Sequence, residues 1–574
     1  MTADLGQASA RPDKAVPRQR GGAHAASRGG WFRRESAESP AAARSSAALP
    51  MLSAPVAGDQ ARRTGAGGYP GSVPAPRAAA AASRREPPSE LAGTRAAAVR
   101  SSAVALCAVA IVAAVVPLAV LQIPNAFAWS LPPRVAGAGP DAVASLLRAS
   151  GLALPAMAVA APLGALAVRR LRPGPVLLAG LGIIAAADVL GGSIHTVALI
   201  GVDRCLHGLG AGVAMAAVAA IVSGSPAAGR SLAGWWAAVT VAGLAAAAGL
   251  MRDLVTSGDW HAALQPYPRL TAAALGLAAL YAVLAGGSAS AAARNAFPVA
   301  ERSQLALLVP LVAGVCAISL AVTYRGAQAI IAATIAGVIA LGGLTVITAR
   351  AGTAGRFAVV CAVSGFTVAP TASAVTALTQ PTVKAGCLAL AAALCGAALA
   401  LLPKGRTTGL TRAIAVAGLF ATAAGFGALS LAGPGNVPGR LLTVLSVSVA
   451  GGLAAALTSS LRATGAAGAM AGVAILLAGA VVGYLAAGAV QLRAQAPQAS
   501  RGALLTVTGR WSLLAAVVTA AVALAMAIAG IRRQGPRARS SRVRPDGRRT
   551  GRITGGELAA GAPPASSGDA PDHG

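Results

Sequence analysis

From residue 101 to residue 531 the chain repeats one pattern, an apolar run of about twenty residues closed by a short break of Gly, Pro or Arg. That length is what an α-helix needs to cross the roughly 30 Å hydrocarbon core of a bilayer. In lipid every backbone N–H and C=O must be satisfied inside the protein, so spanning chains are helices or closed barrels. Barrel strands alternate polar and apolar residues at every second position. These runs are apolar all round, which leaves helices. They fall at 101–123, 145–168, 174–193, 196–223, 230–251, 269–286, 303–323, 327–349, 356–378, 383–402, 409–432, 439–459, 465–490 and 509–531. The pattern predicts an all-α polytopic membrane protein with about fourteen spans, whose first partner is the lipid bilayer.

Outside this region the composition changes. Residues 1–98 and 532–574 are rich in Ala, Arg, Gly, Ser and Pro, lack apolar periodicity, and read as disordered basic tails. The net charge of +30 raises nucleic acid as a partner, but its distribution speaks against one. Of the 47 Lys and Arg, 23 lie within 101–531, mostly in the gaps between apolar runs. That is where a membrane protein keeps charge, because a charged side chain at the bilayer centre costs roughly 2.5–3.5 kcal/mol on insertion scales. No apolar stretch precedes residue 101, so no cleavable signal peptide is visible and the first spanning helix directs insertion. Met51 is a second candidate start. The Ala, Gly and Arg bias points to a GC-rich, actinobacterial source.

An even number of spans puts both tails on one side. Arg95 and Arg100 flank the first run, and Arg532, Arg533, Arg537 and Arg539 follow the last. The excess of positive charge predicts that both termini are cytoplasmic at the cell membrane. Arg493, Arg501 and Arg510 run against that rule, since their loop then falls outside.

Soluble-enzyme chemistry is not visible. There is no Gly-x-x-x-x-Gly-Lys-Ser/Thr loop, no HExxH and no Gly-x-Ser-x-Gly. Cys107, Cys205, Cys316, Cys361, Cys387 and Cys395 each lie in or beside an apolar run without a CxxC pair, and read as small buried hydrophobes. Neither an enzyme nor a metal site nor a cofactor is expected.

Three stretches carry a resemblance. Gly164-Ala-Leu-Ala-Val-Arg169-Arg170-Leu-Arg172 sits between the second and third runs. It resembles the cytoplasmic signature of the major facilitator superfamily, although Val168 replaces its acidic residue and Leu171 its second glycine. Arg204-Cys-Leu-His207-Gly208-Leu-Gly210-Ala-Gly212, in the fourth run, is similar to that family's arginine-x-x-glutamine-glycine-x-glycine element, with His207 in the glutamine's place. Gly208 and Gly212 also form a GxxxG spacing that suits close helix contact. Residues 234–268 resemble the fifth helix and following loop of the fourteen-helix drug:proton antiporter branch. Ala247-Ala248-Gly249-Leu250-Met251-Arg252 keeps small residues there but lacks the branch's proline.

The resemblance implies two pseudo-symmetric six-helix bundles, 99–286 and 356–531, joined by residues 287–355 with two extra spans. It implies that Gly164, Arg169, Arg170 and Arg172 form a gating loop, and that Gly208, Gly210, Gly212 and Gly249 pack helices. It ties Arg204 to proton coupling. A proton-coupled carrier needs a group that exchanges a proton at accessible pH, and burial of a carboxyl supplies one. Asp188 is the one carboxylate well inside a predicted helix, Asp203 and Asp253 sit near helix ends, and no Asp or Glu occurs between Glu301 and Asp546. Asp188, Arg204 and His207 are therefore the proton-coupling candidates, each with a packing role as the alternative. Trp235, Trp236 and Thr240 are candidates to line a cavity, alongside Asn125, Trp129, Arg148, Thr367 and Tyr484, with interfacial anchoring or interhelical bonding as the alternative.

The function expected is alternating-access export of a small organic or amphipathic compound by a monomer, with protons as possible coupling ions. Two other classes stay open: a non-transporting scaffold descended from a transporter, and a lipid-linked precursor flippase.

Overall fold

A computed structural model describes residues 140–224, 268–285, 299–322, 327–350, 354–378, 383–402, 408–431, 439–493 and 501–532, with isolated positions elsewhere, chiefly in 232–241 and at 264–265. All the helices lie in one compact unit, Arg84–Gly574. The tails through residue 98 and beyond residue 532, the first run at 101–123 and most of the run at 230–251 fall outside the described residues.

Thirteen helices are described: α1 Pro140–Gly151, α2 Ala153–Arg170, α3 Pro173–Gly191, α4 Val197–Gly224, α5 Pro268–Ala285, α6 Val299–Val322, α7 Ala327–Arg350, α8 Ala354–Leu378, α9 Val383–Leu401, α10 Thr408–Leu431, α11 Gly439–Leu461, α12 Ala466–Arg493 and α13 Arg501–Arg532. They cover twelve of the fourteen apolar runs. Among the described residues eight helices are long and apolar enough to cross a membrane, and four more are apolar over 10–17 residues. The protein is an all-α polytopic membrane protein. Large apolar side chains point outward along these helices, among them Ile335, Val338, Ile339 and Val346 on α7 and Leu513, Val517, Leu524 and Ile528 on α13. In water such faces would drive aggregation, whereas in lipid they are the solvent-matched surface.

Two boundaries differ from the pattern. The expected single helix at 145–168 is two, α1 and α2, broken at Leu152. The cause is Pro155, which has no N–H to give the Gly151 carbonyl and so removes one i→i−4 bond. Leu152 instead donates back three residues to Ala149 at 3.3 Å, and Ala156 resumes the α-pattern on Leu152 at 3.1 Å. The last helix starts at Arg501 rather than 509, so Arg501 and Arg510 are helical, not loop. Asp203 lies in the second turn of α4, near the helix end as expected, since that helix starts at Val197. Thr196 accepts the backbone N–H of Leu199 on its hydroxyl at 3.3 Å and starts the helix.

The helix pairing repeats. α4 packs along both α2 and α3, and α3 also meets α5. In the later part α11 packs along both α9 and α10, and α10 also meets α13. The same four runs of each half, the second, third, fourth and last, thus make the same contacts. The repeat extends to single residues. Gly180 and Gly210 approach so closely that a Cβ on either would strike the other's carbonyl, and Gly418 and Gly452 do the same between α10 and α11. Gly210 and Gly452 are each the fourteenth residue of their helix. Gly164 likewise brings α2 onto α4, and Gly396 brings α9 onto α11. Helices in lipid associate through such close packing, since apolar surface alone gives them no reason to. α2 and α4 meet α12, α6 rests on α2 and α12, and α7 rests on α12 and α8.

Candidate functional site

α3 and α4 bring four ionisable side chains together. Asp188 lies one turn before the end of α3, and Asp203, Arg204 and His207 lie in the second and third turns of α4. None is more than 4% exposed. The cluster therefore sits toward the α3–α4 turn, at the opposite ends of these helices from Arg169, Arg170 and Arg172. The Gly180–Gly210 crossing, two turns before Asp188, holds the two helices at backbone contact.

His207 is the bridge. Its Nε2 is 3.0 Å from Asp188 Oδ1 across the helix pair, and its Nδ1 is 3.0 Å from the Asp203 carbonyl one turn back. Nδ1 is also 3.5 Å from Asp203 Oδ2. The spacing of four residues puts Asp203 and His207 on one face of α4. Arg204 donates from Nε to Asp203 Oδ2 at 2.9 Å, with Nη2 2.6 Å from the same oxygen. Nη2 also donates 2.9 Å to the carbonyl of Leu264. Leu264 is itself fully buried and its carbonyl lies over Gly191 at the end of α3. Arg204 so ties α4 to the segment that leads into α5. Asp188 Oδ2 and Asp203 Oδ1 are buried without a hydrogen-bond donor. With His207 neutral the four groups carry a formal charge of −1, and a single added proton brings it to zero.

Asp188, Arg204 and His207 were expected at such a site from the sequence. Asp203 was expected only as a neighbour that could pair with Arg204, and it does so; its contact with His207 was not expected. Leu264 carries no side-chain signal at all. Among the described residues no group of three His, Cys, Asp or Glu is placed to hold a metal ion.

The other expected residues lie apart from this cluster. Arg169 and Arg170 form the last turn of α2, where basic side chains suit the negative end of the helix, and Arg172 is the extended N-cap residue of α3. Arg170 and Arg172 are exposed, Val168 is buried and Leu171 is exposed. Gly208 and Gly212 lie against the carbonyls of Ala153 and Met157 on α2, so the GxxxG pair is a helix contact. Trp236 is buried and meets Phe357 of α8 at a tilt of 57°, ring centroids 6.4 Å apart. Thr240 is buried with its hydroxyl oxygen unbonded. Arg148 is exposed on α1. Thr367 gives its hydroxyl hydrogen to Val363 in its own helix, and Tyr484 donates from α12 to the Ala369 carbonyl of α8 at 3.2 Å. Trp235, Gly249, Asn125, Trp129 and Asp253 lie outside the described residues.

No known protein family matches the chain by its sequence profile, and no curated protein matches it. Solved structures resemble it in outline. The proton:xylose symporter XylE of the major facilitator superfamily, bound to 6-bromo-6-deoxy-D-glucose, overlays with a TM-score of 0.46 at 13% identity, covering 74% of this chain and 95% of that one. The human organic anion transporter MFSD10 (TETRAN) gives 0.44 at 16%, covering 74% and 99%. The peptide transporter POT in complex with sulfate gives 0.48 at 16%, covering 74% and 94%. No overlay cited reaches a TM-score of 0.5, and none assigns this chain a substrate.

Proposed function

We propose that the chain is a secondary active transporter of the major facilitator type, which exports a small organic or amphipathic compound by alternating access and couples that movement to protons. The observation that carries the reading is the buried Asp188–His207–Asp203–Arg204 cluster between two helices that belong to a repeated packing unit. Ionisable groups are costly inside a membrane and mark ion or substrate paths. Repeated helical units that rock about a shared seam are the machinery of alternating access. The repeat pairs the second, third, fourth and last runs of 99–286 with those of 356–531, and α2, α4 and α12 supply contacts across the seam. Both tails cytoplasmic, a monomer at the cell membrane, and the drug:proton antiporter branch belong to the same proposal. In that orientation the cluster lies toward the outer side.

The test is flux in proteoliposomes under an imposed pH gradient, with a panel of amphipathic cations and neutral organic compounds. Uphill accumulation of at least one compound, abolished by collapsing the gradient and by Arg204→Ala, is expected. Gradient-independent behaviour across the whole panel refutes coupled transport. If Asp188→Asn and Arg204→Ala both leave the cellular phenotype intact, the non-transporting scaffold takes its place. Movement of a lipid-linked precursor between leaflets would instead identify a flippase.

A further inference from the structure

Hydrogen-bond valence at His207 says more than proximity does. Both ring nitrogens face acceptors. The Asp203 carbonyl at Nδ1 has no hydrogen to give, so the ring must donate there. Asp188 Oδ1 at Nε2 is a carboxylate oxygen unless it carries a proton. A neutral imidazole has one N–H and one lone pair. The tautomer protonated at Nδ1 turns its Nε2 lone pair onto Asp188 Oδ1 at 3.0 Å. The tautomer protonated at Nε2 turns its Nδ1 lone pair onto the Asp203 carbonyl at 3.0 Å. Neither neutral tautomer with an ionised Asp188 satisfies both contacts. One additional proton does, whether it rests on the ring or on the carboxyl.

Among the described residues no further side chain donates to His207 or to Asp188 Oδ2. The charged groups acting on His207 are Arg204, Asp188 and Asp203. Arg204 is directed to Asp203 and Leu264. Of the other elements packed on α4, α1 brings Arg148, α2 brings Arg169 and Arg170 at its far end, and α12 brings Tyr484 and, at its C-terminus, Arg493. His195 is exposed in the α3–α4 turn. The Gly180–Gly210 contact brings the α3 and α4 backbones together beside this pair.

We infer that the α3–α4 junction binds one exchangeable proton, shared between His207 Nε2 and Asp188 Oδ1, and that its release frees His207 from the bridge. The inference rests on the transport reading for its purpose but not for its test. The balance is one proton on and one off, with formal charge moving between 0 and −1. Arg204 and Asp203 keep their own pair throughout and position the ring through the Asp203 carbonyl. The proton is therefore the latch between the two helices, and Arg204 is not its carrier.

The experiment is NMR of the full chain in lipid nanodiscs, with 15N in histidine and 13Cγ in aspartate. Five histidines are present, and His207→Gln identifies the resonances of His207. The expected result is a single titration step in which the His207 ring nitrogens and the Asp188 carboxyl move together. Asp188→Asn removes the step, because an amide N–H donates to Nε2 with no added proton. His207 neutral beside an ionised Asp188 throughout the titration overturns the inference. So does a His207 step that survives in Asp188→Asn. Absence of flux in proteoliposomes, with the shared step present, overturns the transport reading alone.

Discussion

Gly208→Ala tests whether the α2–α4 crossing is as tight as the repeat requires. A Cβ on Gly208 would lie 2.8 Å from Ala156 Cβ and closer still to the Ala153 carbonyl, which is backbone and cannot swing aside. Ordinary van der Waals contact begins near 3.4 Å. α2 would have to retreat by a large fraction of an ångström along its length, opening contacts on both sides of Gly208. Overpacking of this kind costs about 1–3 kcal/mol, and the rigid carbonyl places Gly208 in the upper part of that range. Even the middle of that range, about 2 kcal/mol, is close to a thirtyfold change in the unfolding equilibrium. Gly182 on α3 is the control, since a Cβ there meets nothing within 4 Å, so Gly182→Ala should fall within about 0.5 kcal/mol of the parent. The assay is reversible unfolding of purified protein in mixed detergent–SDS micelles, followed by helix circular dichroism and Trp fluorescence. Equal stability of Gly208→Ala and Gly182→Ala would refute the close-crossing argument, and with it the basis for the glycine repeat.

Asp203→Ala leaves the Arg204 guanidinium buried with its carboxylate gone, and should lower stability in the same assay by about 3–5 kcal/mol. The double variant Asp203→Leu/Arg204→Met removes both charges and should recover most of that loss. Trp511→Phe keeps the aromatic contact with Phe366, whose centroid is 5.6 Å away. It loses the indole donor to Thr371 Oγ1 at 3.0 Å, and should cost about 0.5–1.5 kcal/mol. No loss in Trp511→Phe would mean that this bond contributes nothing to the α8–α13 contact.

What could be read from the sequence was whatever follows from length and hydropathy. Twelve apolar runs became helices because a run of that length has one way to satisfy its backbone in lipid. The misreadings share a cause: a boundary is set by one or two hydrogen bonds, and hydropathy does not register them. Pro155 sits inside an apolar run and looks harmless until its missing N–H is counted against Gly151. The start of α13 at Arg501 lies eight residues before the apolar run it carries, so hydropathy alone does not register it. Asp188 and His207 were legible as candidates one at a time, but not as partners. Their pairing depends on the register of α3 against α4, which the Gly180–Gly210 contact fixes and which no single run reveals.

The two halves share a packing plan but not a chemistry. The buried polar groups of α8 to α13 are hydroxyls, and most are spent within their own helices: Ser364 on Val360, Thr367 on Val363, Thr371 on Thr367, Thr422 on Gly418 and Thr519 on Ala515. Such groups neither gain nor lose charge at accessible pH. Among the described residues the buried carboxylates are Asp188 on α3 and Asp203 on α4. α4 carries Asp203, Arg204 and His207 and is also a helix that meets α12. α12 in turn is pressed against α8 so tightly that Gly365, Gly479 and Gly483 have no room for a side chain. Pro370 sharpens this seam. It withholds an N–H from the Phe366 carbonyl, and the bare backbone of Gly483 lies against that same carbonyl. A helix weakened at one bond and gripped at that point by a glycine is where a displacement of α4 and α12 would be taken up. Among the described residues the buried carboxylates thus lie on α3 and α4, and a proline at a glycine-tight crossing lies on α8.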